Sequence, residues 1–181
     1  MAGSDGADKE KIIFAVGSFN TRKNHHRLIE AFRLAAPEGY SLVITGDKNR
    51  VFADTGINEQ ALAGSRIDIR RSLTDAELAD LYRRAAVLAS VSLYEGFGIP
   101  VLEGLSHGCR VLCSDIAVYR ELYGDVATFC QPTDVADIAK GILAAIEAPA
   151  PAPGRVAALL QQYSYDAAAD VIIEQMTKKG A

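Results

Sequence analysis

Short apolar runs alternate along this chain with segments of helical period, and no other feature so narrows what it can fold into. The runs fall at 12–16, 40–45, 67–69, 86–90, 110–113 and 127–130. Helical segments separate or follow them near 25–34, 58–63, 75–84, 100–107, 118–122 and 135–148. A strand covered on both faces reads as a continuous apolar stretch, and parallel neighbours need a crossover long enough to hold a helix. The alternation therefore predicts an α/β fold: a single doubly wound, Rossmann-like parallel sheet of about six strands with helices on both faces. At 181 residues the chain has room for one such domain. Ligands of this architecture bind beyond the carboxyl ends of the strands, so the loops that follow the apolar runs are where chemistry is expected.

Around that sheet domain, 12–148, the organisation is simple. Residues 1–11 are polar, lack the apolar segment of a secretory leader and read as a flexible tail. The prolines of 149–153 cannot continue a helix and read as a linker. Residues 154–181 carry two more helical segments, 155–163 and 165–178, packed outside the sheet. No apolar run approaches the ~20 residues needed to cross a bilayer, so no transmembrane segment is expected. The formal charge of −4 supplies no general attraction for nucleic acid or anionic lipid, so an anion site must be local. Cys109, Cys113 and Cys130 are odd in number and form no C-x-x-C pair; they read as small buried hydrophobes in a reducing cytoplasm. His25, His26 and His107 lack ligand spacing, and no metal site is expected.

Two constellations could carry chemistry. After the first run comes Gly17-Ser18-Phe19-Asn20-Thr21-Arg22-Lys23-Asn24, leading into a helix near His25. Cations at a helix N-terminus oppose its dipole unless an anion joins them, and phosphate fits that need; a solvated basic turn fits the same residues. There is no Walker A and no G-x-G-x-x-G pattern, which supports neither NTPase nor dinucleotide chemistry. After the fourth run comes Tyr94-Glu95-Gly96-Phe97-Gly98-Ile99-Pro100-Val101-Leu102-Glu103. Glu95 falls at the strand's carboxyl end, Gly96 and Gly98 permit close backbone approach, and Glu103 is expected in the first turn of the next helix. Carboxylates accept hydrogen bonds from vicinal sugar hydroxyls, whereas the plain alternative makes Glu103 a dipole-favoured acid and Glu95 a loop acid. Elsewhere, Asp115 reads as a helix cap, Arg120-Glu121 as an ion pair or cap at the crevice rim, and Tyr82 as core.

Glu95 with seven residues before Glu103 resembles the E-x7-E signature of retaining glycosyltransferases of the GT-B fold, and is most similar to the large family 4. The order of segments supports the likeness: the Gly17 loop with Arg22-Lys23-Asn24, Leu78–Ala85, the glutamate segment, Gly108–Leu112, Ser114–Ile116, Arg120–Leu122 and Pro132–Asp134. The resemblance implies a C-terminal, donor-binding domain for a nucleotide sugar. Lys23 and Arg22 would neutralise the donor diphosphate, with Gly17 and Ser18 in the loop that approaches it. Glu95 would hold sugar hydroxyls, Glu103 the ribose hydroxyls, and the backbone of Gly96, Phe97, Gly98 and Ile99 would face the sugar and phosphates. The base would lie near Ile69 and Arg70. Many members carry arginine directly after the first-loop glycine; Ser18 stands there instead, leaving Arg22 and Lys23 as the principal cations.

The likeness further implies hexose transfer with retention, no cofactor and no metal, in keeping with the absence of Asp-x-Asp. The donor would be GDP-mannose or a UDP-sugar and the acceptor a glycan or lipid-linked glycan. GT-B enzymes have two such domains, so the acceptor-binding half is expected on another segment or subunit. Alone, this chain is expected to bind donor and transfer little. The setting implied is cytoplasmic, peripheral at the inner membrane through the other half. A non-catalytic nucleotide-sugar module and a GT-B-like sugar-nucleotide epimerase are the alternatives.

Overall fold

A computed structural model describes residues 9–46, 62 and 64–164. Six strands form one all-parallel sheet: β1 (Glu10–Val16), β2 (Ser41–Gly46), β3 (Ile67–Arg71), β4 (Ala85–Ser90), β5 (Arg110–Ser114) and β6 (Thr128–Cys130), in the order β3-β2-β1-β4-β5-β6. The expected doubly wound sheet is the observed one. Winding starts at the centre, runs out to β3, returns to β4 and proceeds to β6, so the chain reverses direction between β1 and β4. Loops following these two strands border the crevice where this architecture binds ligands.

The side-chain alternation of β1 assigns the helices to their layers. Ile13 and Ala15 join the core beneath α1 (His25–Ala35) and α5 (Val135–Glu147), with Leu28, Phe32, Ile138 and Ile142. Ile12 and Phe14 face the opposite core, under α2 (Asp75–Arg84), α3 (Ile99–Ser106), α4 (Ala117–Tyr123) and α6 (Pro153–Gln162), with Leu81, Val101, Leu105, Tyr119 and Val156. Local chemistry sets the helix starts. Thr74 and Glu77 form a reciprocal capping box on α2, and the Asp134 carboxylate accepts from Ala136 and Asp137 N–H at α5.

Several boundaries differ from the sequence expectation. Glu10 and Lys11, placed in the tail, are strand residues of β1. Just before them the Lys9 ammonium donates to the carbonyls of Tyr82 (3.3 Å), Arg83 (2.8 Å) and His107 (2.6 Å), satisfying helix-end acceptors. Pro153, read as the end of the linker, opens α6, because the first helical turn needs no N–H from it. Ile99 begins α3 after a Gly98 cap, so Glu103 stands in the second turn and not the first. Asp115 does not cap α4; it forms a bidentate pair with Arg120 at 2.6 and 2.8 Å, and that pair replaces one with Glu121. The expected helices near 58–63 and 165–178 lie outside the described residues, apart from a buried Leu62. All three cysteines are buried and unpaired. Among the described residues no helix is long and apolar enough to cross a membrane.

Candidate functional site

The loop after β1 is shaped by two glycines. Gly17 adopts φ 151°, and a Cβ there would meet Lys23 Cε at 2.7 Å, so the Lys23 stem lies directly across it. Its N–H donates to Thr45 O at 2.9 Å, which ties the loop to the end of β2. Gly46 is needed opposite, since a Cβ there would sit 2.1 Å from the Gly17 carbonyl oxygen. Replacing Gly17 by alanine forces a strained backbone and pushes Lys23 aside. We expect a loss of stability of about 1–3 kcal/mol, read by urea unfolding; a change within about 0.5 kcal/mol would contradict this account.

Beyond Ser18, whose hydroxyl accepts from the Asn20 amide at 2.8 Å, a 3-10 turn at Thr21–Lys23 carries the two cations. They do not crowd the N-terminus of α1 as expected, because this separate turn precedes that helix. Asn20 Oδ1 accepts from Lys23 N–H at 3.1 Å at one end of the turn. Asn24, left-handed at φ 60° and fully buried, closes the other. Instead of capping α1, the Asn24 amide donates to the carbonyls of Val91 (2.9 Å) and Pro132 (2.7 Å), and its oxygen accepts from Arg27 (3.0 Å). One side chain thereby pins together the loops after β1, β4 and β6. An asparagine before a helix, where φ can turn positive, was the local signal for it.

Arg22, Lys23 and Glu95 meet across the crevice. Lys23 Nζ lies 2.7 Å from Glu95 Oε1 and Arg22 Nη1 2.5 Å from Oε2, one cation to each carboxylate oxygen. Arg22 also donates to Tyr94 O (3.1 Å), sits 5.3 Å over the exposed Tyr94 ring, and accepts from Leu93 N–H at 2.8 Å. Burial alone would raise the Glu95 carboxyl. Hydrogen bonds from Lys23, Ser92 and Arg22, with the Lys23 charge, outweigh burial and hold it below the usual carboxylate range. The anion that the basic loop demands is thus supplied by the chain itself.

The glycine loop leading into α3 rests on two buried tyrosines of α4. Gly98 has φ 86°, with Tyr119 filling the space a Cβ would need, at 2.4 Å. The Tyr123 hydroxyl donates to the Phe97 and Gly98 carbonyls at 3.3 Å, and Tyr119 shares a 2.7 Å hydrogen bond with Ser90. Phe97 packs edge-on against Tyr123 and Tyr163. Gly96 and Ile99 are exposed beside it. Nothing in the local sequence tied these tyrosines to the loop.

Glu103 does not join this cluster. It accepts from the Tyr82 hydroxyl at 2.6 Å, and Tyr82 is itself buried between Phe14 (5.2 Å) and His107 (5.4 Å). Burial and the adjacent Glu103 carboxylate push the Tyr82 phenol far above its ordinary range, so it remains a donor to Glu103. Ile69 and Arg70 lie inside β3: Ile69 packs on the core, and Arg70 pairs with Asp68 at 2.7 Å. A cavity of about 200 Å³ at the Gly17–Ser18 loop is lined also by Thr45, Gly46, Ser72, Leu73 and Leu78, and by neither Ile69 nor Arg70. Among the described residues, no three His, Cys, Asp or Glu side chains gather as metal ligands.

His25, the first residue of α1, backs the loop. Its Nε2 lies 3.3 Å from Gly17 O while Nδ1 is buried without a partner. Burial lowers its pKa from 6.5 to about 4, so the unfolded chain takes up a proton first as pH falls. Stability from neutral His25 is complete above about pH 6.5 and is lost on descent toward pH 4. At about 1.4 kcal/mol for each pH unit between those values, the loss is about 3 kcal/mol. Urea unfolding from pH 7 to 4 should show that difference between the native chain and His25→Gln; parallel curves would refute it.

A family model described as glycosyl transferases group 1 matches residues 2–175. The chain is 33% identical over 138 residues to O-antigen chain mannosyltransferase B of Escherichia coli, covering 73% of this chain and 36% of that protein. It is 29% identical over 131 residues to a serotype-specific mannosyltransferase WbdA of the same species, covering 70% of this chain and 16% of that protein. Among solved structures, sucrose-phosphate synthase from Thermosynechococcus elongatus superposes with a TM-score of 0.78 at 20% identity, over 95% of this chain and 45% of that one, a likeness of fold. This chain therefore spans about a third or less of the length of these mannosyltransferases.

Proposed function

We propose, from the premise that this chain belongs to the group 1 glycosyl transferases, that it is the donor-binding half of a retaining hexosyltransferase acting on a nucleoside-diphosphate sugar. The observation that carries the reading is the meeting of Lys23, Arg22 and Glu95 at the point where the sheet reverses its winding. Mannosyltransferase names among the relatives, and that of GDP-mannose:cellobiosyl-diphosphopolyprenol alpha-mannosyltransferase of Komagataeibacter xylinus, incline the donor toward GDP-mannose and the acceptor toward a growing glycan, free or lipid-linked. The acceptor-binding half lies outside this chain, and the setting is the cytoplasm, at the inner face of a membrane through that half.

In this reading the diphosphate lies against Lys23 and Arg22. Negative charge grows on it as the glycosidic bond breaks, and preplaced cations in a partly dry crevice stabilise that charge most in the transition state. No metal is required of the site. Glu95 turns to the sugar hydroxyls and positions the anomeric carbon for attack from the face the diphosphate leaves. Glu103, oriented by Tyr82, takes the ribose hydroxyls, and the base enters the cavity lined by Ser72 and Leu73 rather than approaching Ile69 and Arg70.

Titrating the chain with GDP-mannose, GDP and UDP-sugars tests this. At least one should raise the melting temperature, and Glu103→Ala and Lys23→Ala should each weaken its binding about tenfold or more. If none binds, the site is something else. A stable donor complex without transfer after the acceptor half is supplied would favour a non-catalytic module.

A further inference from the structure

We propose that Glu95 is a placeholder for the donor diphosphate: it occupies both cations, and the diphosphate must displace it before Glu95 can take up the sugar. The inference rests on the donor-site reading above. Its basis is the division of the carboxylate, with Oε1 on Lys23 Nζ at 2.7 Å and Oε2 on Arg22 Nη1 at 2.5 Å. The side chains are sheltered, at 9% exposure for Glu95 and 12% and 28% for Lys23 and Arg22. A sheltered carboxylate holding two cations yields them only to a group of greater charge and matching oxygen spacing, as a diphosphate offers and a neutral sugar does not.

Three consequences follow from the exchange. Sugar hydroxyls gain access to Glu95 only after diphosphate has taken the cations, so the two halves of the donor are recognised in order. Affinity for the diphosphate is lowered by the fraction of molecules in which the placeholder is seated. Once the hexose has left, Glu95 is free to return to Lys23 and Arg22 and helps expel the nucleoside diphosphate product. The same carboxylate thus favours the loaded donor over the spent one.

The test is calorimetric titration of the 181-residue chain with GDP and UDP, comparing native Glu95 with Glu95→Gln and Glu95→Ala. Uncharged variants should bind the preferred nucleoside diphosphate about tenfold tighter, while their extra affinity for the corresponding nucleotide sugar is lost. Removing any nearby negative charge also aids an anion, so the comparison is repeated with Lys23→Gln. Displacement predicts that the gain from Glu95→Gln shrinks to about threefold or less there, because one seat of the placeholder is gone. An undiminished tenfold gain would reduce the effect to simple repulsion and overturn the proposal. Equal or weaker binding by Glu95→Gln and Glu95→Ala would overturn it too, leaving the donor-site reading intact because the native chain binds. Failure of every form to bind either nucleotide would remove both.

Discussion

Replacing Lys23 by alanine is expected to slow sugar transfer by the assembled enzyme about 100- to 1,000-fold, the loss typical when one preorganised stabiliser of developing charge is removed. The ammonium is poised by three features that the substitution leaves in place: the Gly17 turn beneath its stem, the Asn20 cap on its backbone and the Asn24 closure of its turn. The local backbone is therefore kept, while the loss of the sheltered Lys23–Glu95 pair lowers the melting temperature. Arg22 remains paired with Glu95, so binding of donor should suffer less than kcat. Lysine and arginine differ as hydrogen-bond donors, and Lys23→Arg should recover only part of the rate. Initial rates with saturating nucleotide sugar decide the matter, and a fall of less than threefold would remove Lys23 from the reaction.

Asn24→Ala is expected to destabilise the chain by about 2–4 kcal/mol, the largest effect on stability foreseen for a polar residue here. The Val91 and Pro132 carbonyls would each lose a buried donor, at about 1–3 kcal/mol apiece, and alanine would be held in a left-handed conformation it resists. Asn24→Gly separates these contributions, because it keeps the backbone freedom and removes only the pins. Urea titrations should give a lower midpoint for both variants, lower for alanine, with an unchanged m-value. A shift under about 1 kcal/mol for Asn24→Ala would mean that the three loops hold together without it.

How far these features could be read in advance depended on how local their causes are. The alternation of apolar runs and helical segments carried the sheet, since burial on both faces leaves a continuous trace. Strand ends escape that trace: Glu10 and Lys11 are charged and still belong to β1, where Glu10 pairs with Ala85, because a strand's first residues reach solvent. A proline reads as a stop for the hydrogen bond it cannot make, whereas the first turn that Pro153 opens asks for none. In the site, loop position and the E-x7-E spacing singled out Lys23, Arg22 and Glu95. Their mutual pairing spans about seventy positions and is written nowhere along the chain. A helix opening near Pro100 would put Glu103 in its first turn; α3 opens at Ile99, and the Tyr82 partner of Glu103 sits on another helix. Ile69 and Arg70 pair with β2 along one edge of β3, and the cavity beside Gly17 is bordered further on by Ser72 and Leu73.

The central position of β1 also governs how the molecule can assemble as it is synthesised. Within this domain β1 finds β2 soon, but its other edge stays bare until residues 85–90 emerge to supply β4. During that interval Ile12, Ile13 and Phe14 present a naked apolar ribbon able to pair with a second nascent chain. Translation paused before residues 85–90 have left the ribosome should thus yield more aggregate than a pause after they have emerged. The reversal that creates the crevice leaves a seam at the middle of the sheet that closes only after β2 and β3 have been made.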